Sequence, residues 1–406
     1  MNHKYAVLRL VFSLTLGIAV LSGCALSFQP KDPKNSPVTS NLPSAVAEPE
    51  LVKVQFVAQP FQKFSEEDEV SLDILDLVSG VSYNLERYLL HKSGDNHILN
   101  VDLPEGATIA YRYTLTSPIE VTETLPDGSA LPFRQLVVRK NLVVNDVISG
   151  WPELAYNGPT VDLNGVVVDD KTEAPLPDVL INVAGKTALT DMNGRFFIRG
   201  LAVGKHNLVA TLREGSYMSF QQEVNMVENL ATLAIIRMTP LPQVTLTFIM
   251  SPPNEAVAAP VRMAGNLRQF GQTYSDMLKG AGAQAVNMPL MSRDSDGNYV
   301  AQLNLYAGSL IRYQYTLGDA LVNTERTLDG NRNVRQFIVP NKDLVVEDSV
   351  TTWRTQLKNA IPFYATEPGN ATTDDQVYIQ FNLGAWSNPI PMWLMDRVAP
   401  CTQIKL

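Results

Sequence analysis

Residues 311–317 read Ile-Arg-Tyr-Gln-Tyr-Thr-Leu, so apolar and polar side chains alternate along the segment. An alternation with period two is typical of a β-strand that buries one face and exposes the other. Runs of this kind are separated by residue pairs that favour tight reversals, such as Asp296-Gly297 and Asp329-Gly330. No amphipathic helix longer than about two turns is evident. The pattern predicts an all-β fold made of antiparallel β-sandwich modules in series.

The segment at 311–317 belongs to an internal repeat whose other copy lies about 202 residues earlier in the chain. Residues 109–115 read Ile-Ala-Tyr-Arg-Tyr-Thr-Leu, and the two copies keep the same order of landmarks over about a hundred residues. We therefore expect one domain used twice, over residues 51–153 and 243–355. The matched landmarks are Thr122-Glu123 with Thr324-Glu325, Asp127-Gly128 with Asp329-Gly330, Arg134-Gln135 with Arg335-Gln336, and Trp151 with Trp353.

Residues 1–24 have the composition of a bacterial secretion signal. Two basic residues, Lys4 and Arg9, precede an apolar segment from Leu10 to Leu21. Its length of about 12 residues spans about 18 Å as a helix, which is too short to cross a hydrocarbon layer of about 30 Å. Its end, Leu21-Ser22-Gly23-Cys24, resembles the lipobox of bacterial lipoproteins. The resemblance implies a diacylglycerol on Cys24 and an extracytoplasmic protein anchored to the cell membrane or outer membrane.

The segments flanking the folded part are predicted to be linkers. Residues 25–50 carry five prolines among small polar residues, a composition that suits an extended tether. Residues 358–406 read as a linker and the truncated start of a third module, because 377–381 repeats the opening strand of the earlier copies. The alternative is that this tail docks elsewhere. Apart from Cys24 the chain has only Cys401, so stability must come from burial rather than from disulfides.

The charge balance excludes one class of partner. The net charge is −9 and no basic block occurs, so nucleic acid is not an expected partner. After cleavage of the signal the histidines are His91, His97 and His206, which show no metal-ligand spacing. We therefore expect no metal, no cofactor and no enzymatic activity. A catalytic carboxylate pair assembled only in three dimensions stays open, because strands bring distant residues together.

Residues 159–240, between the two copies, resemble a carboxypeptidase regulatory-like domain. The resemblance implies a seven-stranded, transthyretin-like (immunoglobulin-type) sandwich, generally a non-catalytic accessory module. The residues that carry it are Leu163-Asn-Gly165-Val-Val-Val-Asp169, Pro175-Leu-Pro177-Asp-Val179, Val183-Ala-Gly185, Leu189-Thr-Asp191-Met-Asn193-Gly194-Arg-Phe196, Gly200-Leu201 and Val203-Gly204-Lys-His-Asn-Leu208.

The repeated module resembles a starch-binding-domain-like sandwich. In the second copy the matching segments are 261–271, 308–315, Thr324-Glu325 and Asn331-Arg332. The tryptophans that form sugar platforms in that family are absent, since Gln272-Thr-Tyr274 and Thr324 stand in their places. The resemblance therefore implies the fold more strongly than starch binding.

Candidate binding residues follow from the chemistry of sugar recognition, which needs an exposed aromatic face with polar side chains nearby. Periodicity places Tyr111, Tyr113, Tyr313 and Tyr315 in the core instead. The pairs Glu123/Arg134 and Glu325/Arg335 are interpreted as cross-strand ion pairs. The carbohydrate-binding candidates, which lie beside predicted turns, are Tyr274, Tyr299, Tyr306, Asn331 and Arg332 in the second copy and Tyr83 and Tyr88 in the first.

The sequence favours a non-catalytic cell-surface lipoprotein whose sandwiches bind carbohydrate, a polysaccharide or starch-like glycan. This hypothesis rests on the resemblance of the fold. Two other functions stay open: a structural stalk or protein-interaction array, and the accessory half of a truncated glycoside hydrolase. The partners implied are a glycan and, through Cys24, the lipid bilayer.

Overall fold

The computed structural model describes most of the chain between residues 48 and 405. The predicted signal, Cys24 and the tether up to residue 47 lie outside the described residues. Within the described ranges, the helical element is a 3-10 turn at Arg268–Phe270, and the single residues Asn287 and Asn323 also have 3-10 geometry. None of the described helical structure has the length and apolarity needed to span a bilayer. The described residues are 48–61, 68–75, 78, 86–117, 119–228, 232–253, 260–272, 287–318, 323–354, 365–366, 378–379, 390–391, 393–398 and 401–405.

The first sandwich lies within the first repeat copy and has two sheets. Its strands are β1 (Leu51–Pro60), β2 (Glu69–Ile74), β3 (Glu86–Leu89), β4 (His91–Ser93), β5 (Asn96–Pro104), β6 (Thr108–Ser117), β7 (Ile119–Thr122), β8 (Arg134–Val137) and β9 (Leu142–Ile148). One sheet has the order β4-β5-β1-β9, and the other has β3-β2-β6-β7, with β8 also paired to β6. Alternate residues point inward, so Phe56 and Tyr111 meet in the core with ring centroids 5.2 Å apart.

The second sandwich has seven strands in two sheets, which is the number implied by the resemblance of residues 159–240. They are β10 (Thr160–Asp169), β11 (Leu180–Val183), β12 (Lys186–Leu189), β13 (Arg195–Ala202), β14 (Gly204–Thr211), β15 (Phe220–Met226) and β16 (Thr232–Met238). The sheets have the orders β13-β10-β16 and β12-β11-β14-β15. The core between them contains Leu163, Ile181, Phe196 and Ile236.

The third sandwich repeats the packing of the first. Its strands are β17 (Gln243–Ser251), β18 (Val261–Gly265), β19 (Ser292–Arg293), β20 (Tyr299–Tyr306), β21 (Leu310–Leu317), β22 (Glu325–Arg326), β23 (Arg335–Ile338), β24 (Leu344–Ser349) and β25 (Thr352–Trp353). The main sheets are β19-β20-β17-β24 and β18-β21-β23, and β22 pairs with β25. Phe248 and Tyr313 meet at 5.2 Å and 69°, the same distance and tilt as Phe56 and Tyr111.

Each sandwich contains one parallel strand pair, which the expectation of antiparallel sandwiches did not include. In the first two sandwiches the first strand lies beside the last, β1 beside β9 and β10 beside β16. In the third, β17 lies beside β24, which comes just before the short strand β25. Parallel neighbours need a long connection, and here the whole of the intervening sandwich supplies it. The antiparallel pattern holds for all the other strand pairs between described residues.

The C-terminal region contains further short strands. The strand expected at 377–381 is present at β27 (Tyr378–Ile379), where it pairs with β28 (Ile390–Pro391). A second sheet joins β26 (Ala365–Thr366) and β29 (Trp393–Val398) through β30 (Cys401–Lys405). The tail thus carries more strand structure than its opening segment alone predicts.

Gly165 allows a close approach inside the second sandwich. A Cβ atom at this position would lie 2.2 Å from Cζ of Phe196 and 2.7 Å from the carbonyl oxygen of Ala234. We expect Gly165→Ala to lower the free energy of unfolding by about 1–3 kcal/mol, because the ring and a strand backbone must both move. Urea unfolding measures the change. Asn164→Ala, on the exposed face of the same strand, should change it by less than about 0.5 kcal/mol, and equal losses would contradict the steric argument.

Candidate functional site

The predicted carbohydrate residues of the third sandwich do not form one platform. Tyr299 and Tyr306 stand at the two ends of β20, roughly 23 Å apart along the strand, and on opposite faces. Tyr299 packs partly buried against the core, with the guanidinium carbon of Arg293 at 5.9 Å from its ring centroid. Tyr306 is also partly buried and pairs with Gln243.

The other candidates are likewise dispersed. Asn331 is exposed in a turn, whereas the adjacent Arg332 donates from Nη2 to Oε1 of Gln314 over 3.2 Å. In the first sandwich, Tyr88 packs against the core and its hydroxyl donates to Oε2 of Glu86 over 2.8 Å. Tyr83 and Tyr274 lie outside the described residues. Among the described candidates, therefore, each ring has its own local packing and none stacks beside another.

A buried charged cluster occupies the first sandwich instead. Arg134 lies between two carboxylates, with Nη2 at 2.7 Å from Oε2 of Glu123 and Nη1 at 3.1 Å from Oδ1 of Asp146. The hydroxyls of Tyr111 and Tyr113 donate to Oδ2 of Asp146 over 2.7 and 3.0 Å. All five side chains are almost completely buried. The predicted Glu123–Arg134 ion pair and the core position of the tyrosines are confirmed.

The third sandwich contains the same cluster at the equivalent positions. Arg335 pairs with Glu325, and its Nε lies 3.1 Å from Oδ1 of Asp348. Tyr313 and Tyr315 donate to Oδ2 of Asp348 over 2.8 and 2.7 Å. This arrangement confirms the predicted Glu325–Arg335 ion pair.

Each cluster joins strands from both sheets of its sandwich. The central carboxylates are Asp146 on β9 and Asp348 on β24. Each accepts hydrogen bonds from tyrosines on the facing sheet of its sandwich. Sequence reasoning missed both aspartates. A signal for them was present, because an aspartate ends the Leu-Val-Val run in both repeat copies.

Burial shifts the acid–base behaviour of these clusters. It raises the pKa of Tyr111, Tyr113, Tyr313 and Tyr315 well above 10, and the neighbouring aspartate raises it further. Burial also raises the pKa of Glu325, against the effect of Arg335. Side chains with strongly shifted pKa values often mark functional sites. The side chains of these two clusters, however, are shielded from solvent and hydrogen-bond to one another. The clusters therefore act as internal ties between the two sheets.

The second sandwich docks onto the free edge of β8 through amide side chains. Asn182 accepts the N–H of Gln135 over 3.2 Å and donates to the carbonyl of Phe133 over 3.1 Å. Asn207 donates to the carbonyl of Gln135 over 3.0 Å, and Gln221 accepts the N–H of Val137 over 2.7 Å. Three amides thus provide the hydrogen bonds that a neighbouring strand would otherwise make.

Apolar contacts reinforce this junction. Leu75 and Phe133 of the first sandwich form a buried cluster with Leu180 of the second. Consequently β8 and β11 are buried at every residue, although strands at a sheet surface normally bury only alternate ones.

Gln272 connects all three sandwiches. Its Oε1 accepts from Nη2 of Arg213 in the second sandwich over 2.7 Å. Its Nε2 donates to the carbonyl of Val78 in the first over 3.0 Å. The side chain belongs to the third sandwich and is only 6% exposed, so both bonds are shielded from water. This residue stands where the resembled family has a sugar-binding region, but here its amide has a structural partner on each side.

His206 is a buried titratable group of the second sandwich. Its ring is completely buried, and Nε2 donates to the carbonyl of Ala202 over 2.7 Å. Burial lowers the pKa of His206 below 6.5, so the folded state favours the neutral ring. Its stabilising effect is therefore present above pH 6.5 and is lost as the pH falls below that value.

We expect the unfolding free energy to fall between pH 6.5 and 5, with His206 contributing at most about 1.4 kcal/mol per pH unit. His206→Gln should reduce this dependence, and the part that remains includes His97, whose pKa burial also lowers. The exposed His91→Gln should leave the dependence unchanged. Urea unfolding at several pH values measures both, and identical slopes for the two variants would exclude His206 as the cause.

Comparisons with known proteins were made at the level of sequence and of structure. No protein-family model matches the chain, and no curated protein matches it. A Streptococcal ancillary pilin is 12% identical, with 73% of this chain and 98% of that chain covered and a TM-score of 0.27. The minor pilin GBS52 of Streptococcus agalactiae is 13% identical over 47% and 95% of the chains, with a TM-score of 0.26.

A family 15 glucoamylase from Hypocrea jecorina is 17% identical and has a TM-score of 0.21. The match covers 31% of this chain and 20% of the glucoamylase. Scores this low carry no inference about function, and the all-β sandwich architecture rests on the strands themselves.

Proposed function

We propose that this chain is a non-catalytic spacer at the bacterial cell surface, in which the three sandwiches form one rigid unit. The supporting observation is the amide-bonded edge of β8, where Asn182, Asn207 and Gln221 connect two sandwiches through backbone groups. A flexible string of domains does not need such bonds, because exposed strand edges can be hydrated instead. The structural-stalk hypothesis is thus favoured over an array of independently moving binding domains.

The predicted lipid anchor supplies the attachment. In the proposal, acylated Cys24 holds the protein in the bilayer and the proline-rich segment that follows separates the rigid unit from the membrane. Loss of membrane association in a Cys24→Ala variant, with the chain still exported, would support this part. An equally membrane-bound variant would overturn it.

The rigidity can be tested at the connection between the first two sandwiches, residues 152–159. We expect limited proteolysis to spare this connection in the native protein and to cut it in Asn182→Ala/Asn207→Ala/Gln221→Ala. A matched control replaces three exposed amides, Asn164, Asn225 and Gln302, and should remain resistant. Small-angle scattering should show a larger radius of gyration only for the junction variant. A native protein whose scattering requires freely moving domains would contradict the spacer function.

Carbohydrate binding is the second candidate, and the environment of Tyr299 favours it. The ring is partly exposed beside Arg293 and the turn from Asp294 to Asn298, so an aromatic face and polar groups lie at one edge. Glycan-array binding should be lost in Tyr299→Ala and retained in Tyr88→Ala, whose ring packs elsewhere. Retention of binding by both variants would remove Tyr299 from consideration.

A further inference from the structure

A cavity of about 420 Å³ lies where the three sandwiches meet. This volume falls in the range of about 300–1,000 Å³ that small-molecule sites occupy, and such sites are frequent between domains. The lining is mixed, with several leucines and one tyrosine on the apolar side and guanidinium, amide and hydroxyl groups on the polar side. Neither candidate function described above uses it.

Turns from all three sandwiches create this space. Gly106 and Gly308 occupy equivalent positions of the two repeat copies, and Gly215 belongs to a turn of the second sandwich. All three have positive φ, of 83°, 88° and 71°, which glycine tolerates without strain. A Cβ at Gly106 would meet no atom within 4 Å, and one at Gly308 would meet only Leu241 at 3.9 Å. The cavity is therefore open beside bare backbone that a ligand can approach.

The charge of the lining favours an anion. Arg139 and Arg213 are its basic residues, and Glu105 is its one acidic residue among those described. Arg139 is exposed and donates from Nη2 to the carbonyl of Ser219 over 3.3 Å, whereas Arg213 is held by Gln272 over 2.7 Å. A guanidinium has five N–H donors in a planar fork that matches a carboxylate. Arg139 is therefore the more accessible of the two guanidinium groups for a ligand.

The remaining lining suits a hydroxylated ring. The ring of Tyr217 and the side chain of Leu267 offer apolar surface, while Ser219 and Thr108 offer hydroxyls. Gln135 also lines the cavity, is 6% exposed, and its Oε1 has no hydrogen-bond partner among the described residues. Buried amide oxygens are normally paired, so a hydroxyl donor is the group that this position lacks. Apolar faces with hydroxyl-pairing groups are what a pyranose requires.

We propose that the cavity binds a hexuronate, a sugar ring that carries a carboxylate, with Arg139 as the carboxylate partner. The apolar side receives the C–H face of the ring, and the amides and hydroxyls pair with its hydroxyl groups. The site is separate from the Tyr299 edge and does not depend on either function proposed above.

Titration calorimetry on the full chain tests this site with D-glucuronate, D-glucose and acetate as probes. We expect saturable binding of glucuronate with an affinity at least about tenfold above that of the other two, because a charge-assisted bidentate pair is added to ring contacts. Arg139→Gln should weaken glucuronate binding about tenfold. Arg199→Gln, an exposed arginine on the outer sheet of the second sandwich, should leave it unchanged.

A second variant, Ser219→Phe, places a ring in the cavity and should abolish binding while thermal unfolding verifies that the fold persists. Equal affinity for glucose would overturn the role of the carboxylate. Equal affinity for acetate would show an ion site that does not recognise sugar. Undetectable binding of glucuronate, or binding that survives both substitutions, would overturn the site altogether.

Discussion

Replacing Arg134 by methionine is expected to lower the unfolding free energy of the first sandwich by about 3–5 kcal/mol. The guanidinium is 2% exposed and is the cation between Glu123 and Asp146. Its removal leaves two carboxylates in the core without their counterion, and the burial of an uncompensated charge dominates the loss. Urea unfolding monitored by tryptophan fluorescence measures the change, since Trp151 lies in the same core.

The equivalent arginine of the third sandwich provides a second test of this effect, and an arginine on the surface provides a control. Arg335→Met should weaken the third sandwich by a similar amount, because two buried carboxylates, Glu325 and Asp348, flank Arg335 at the equivalent positions. Arg237→Met removes an exposed ion pair with Glu173 and should cost less than about 1 kcal/mol. A loss below about 1 kcal/mol in Arg134→Met and Arg335→Met would show that the clusters do not hold the sheets together.

Alkaline pH should unfold the two repeat copies cooperatively. Tyr111, Tyr113, Tyr313 and Tyr315 have pKa values raised well above 10, so the folded state keeps them neutral. Their contribution to stability is complete below pH 10, the unfolded value, and is lost as the pH rises above it. Each of these buried tyrosines lowers the unfolding free energy by up to about 1.4 kcal/mol per pH unit. Each repeat copy contains two of them, so their effects add within one sandwich.

Tyrosinate absorbance measures this directly. We expect the buried tyrosines to ionise only together with unfolding, as a step separate from the titration of accessible tyrosines. Tyr113→Phe should remove about half of the slope that the buried cluster of the first sandwich contributes, to which Tyr88 adds its own part, and should leave the slope of the third sandwich unchanged. Smooth ionisation of all tyrosines near pH 10 in the folded protein would be incompatible with the buried clusters.

The period-two pattern around Tyr313 predicted a β-strand with one buried face, and the shared order of landmarks predicted the repeat. The Glu–Arg pairs were also predictable, because both repeat copies keep the glutamate and the arginine at nearly the same spacing, 11 residues in the first copy and 10 in the second. Asp146 and Asp348 were missed because their role depends on contact between two sheets, which no local period encodes. The repeat alone could have singled them out.

The junction could not be predicted in the same way. Asn182, Asn207 and Gln221 look like ordinary polar residues of surface strands, and only the docking of β8 gives them partners. The spread of Tyr299 and Tyr306 has a similar cause. Both lie beside turns, as expected, but an odd separation along one strand places them on opposite faces.

The parallel strand pair of each sandwich would bear the load if the chain were pulled from its two ends. In each sandwich a pull on the two ends of the chain would load the first strand and its parallel neighbour in opposite directions, and so would slide these two strands past each other. In β1 and β9 the load then falls on the whole ladder from Val54 to Pro60 at once, rather than on one bond after another. All three sandwiches have this shear arrangement, so a surface-anchored chain would resist stretching in each of them.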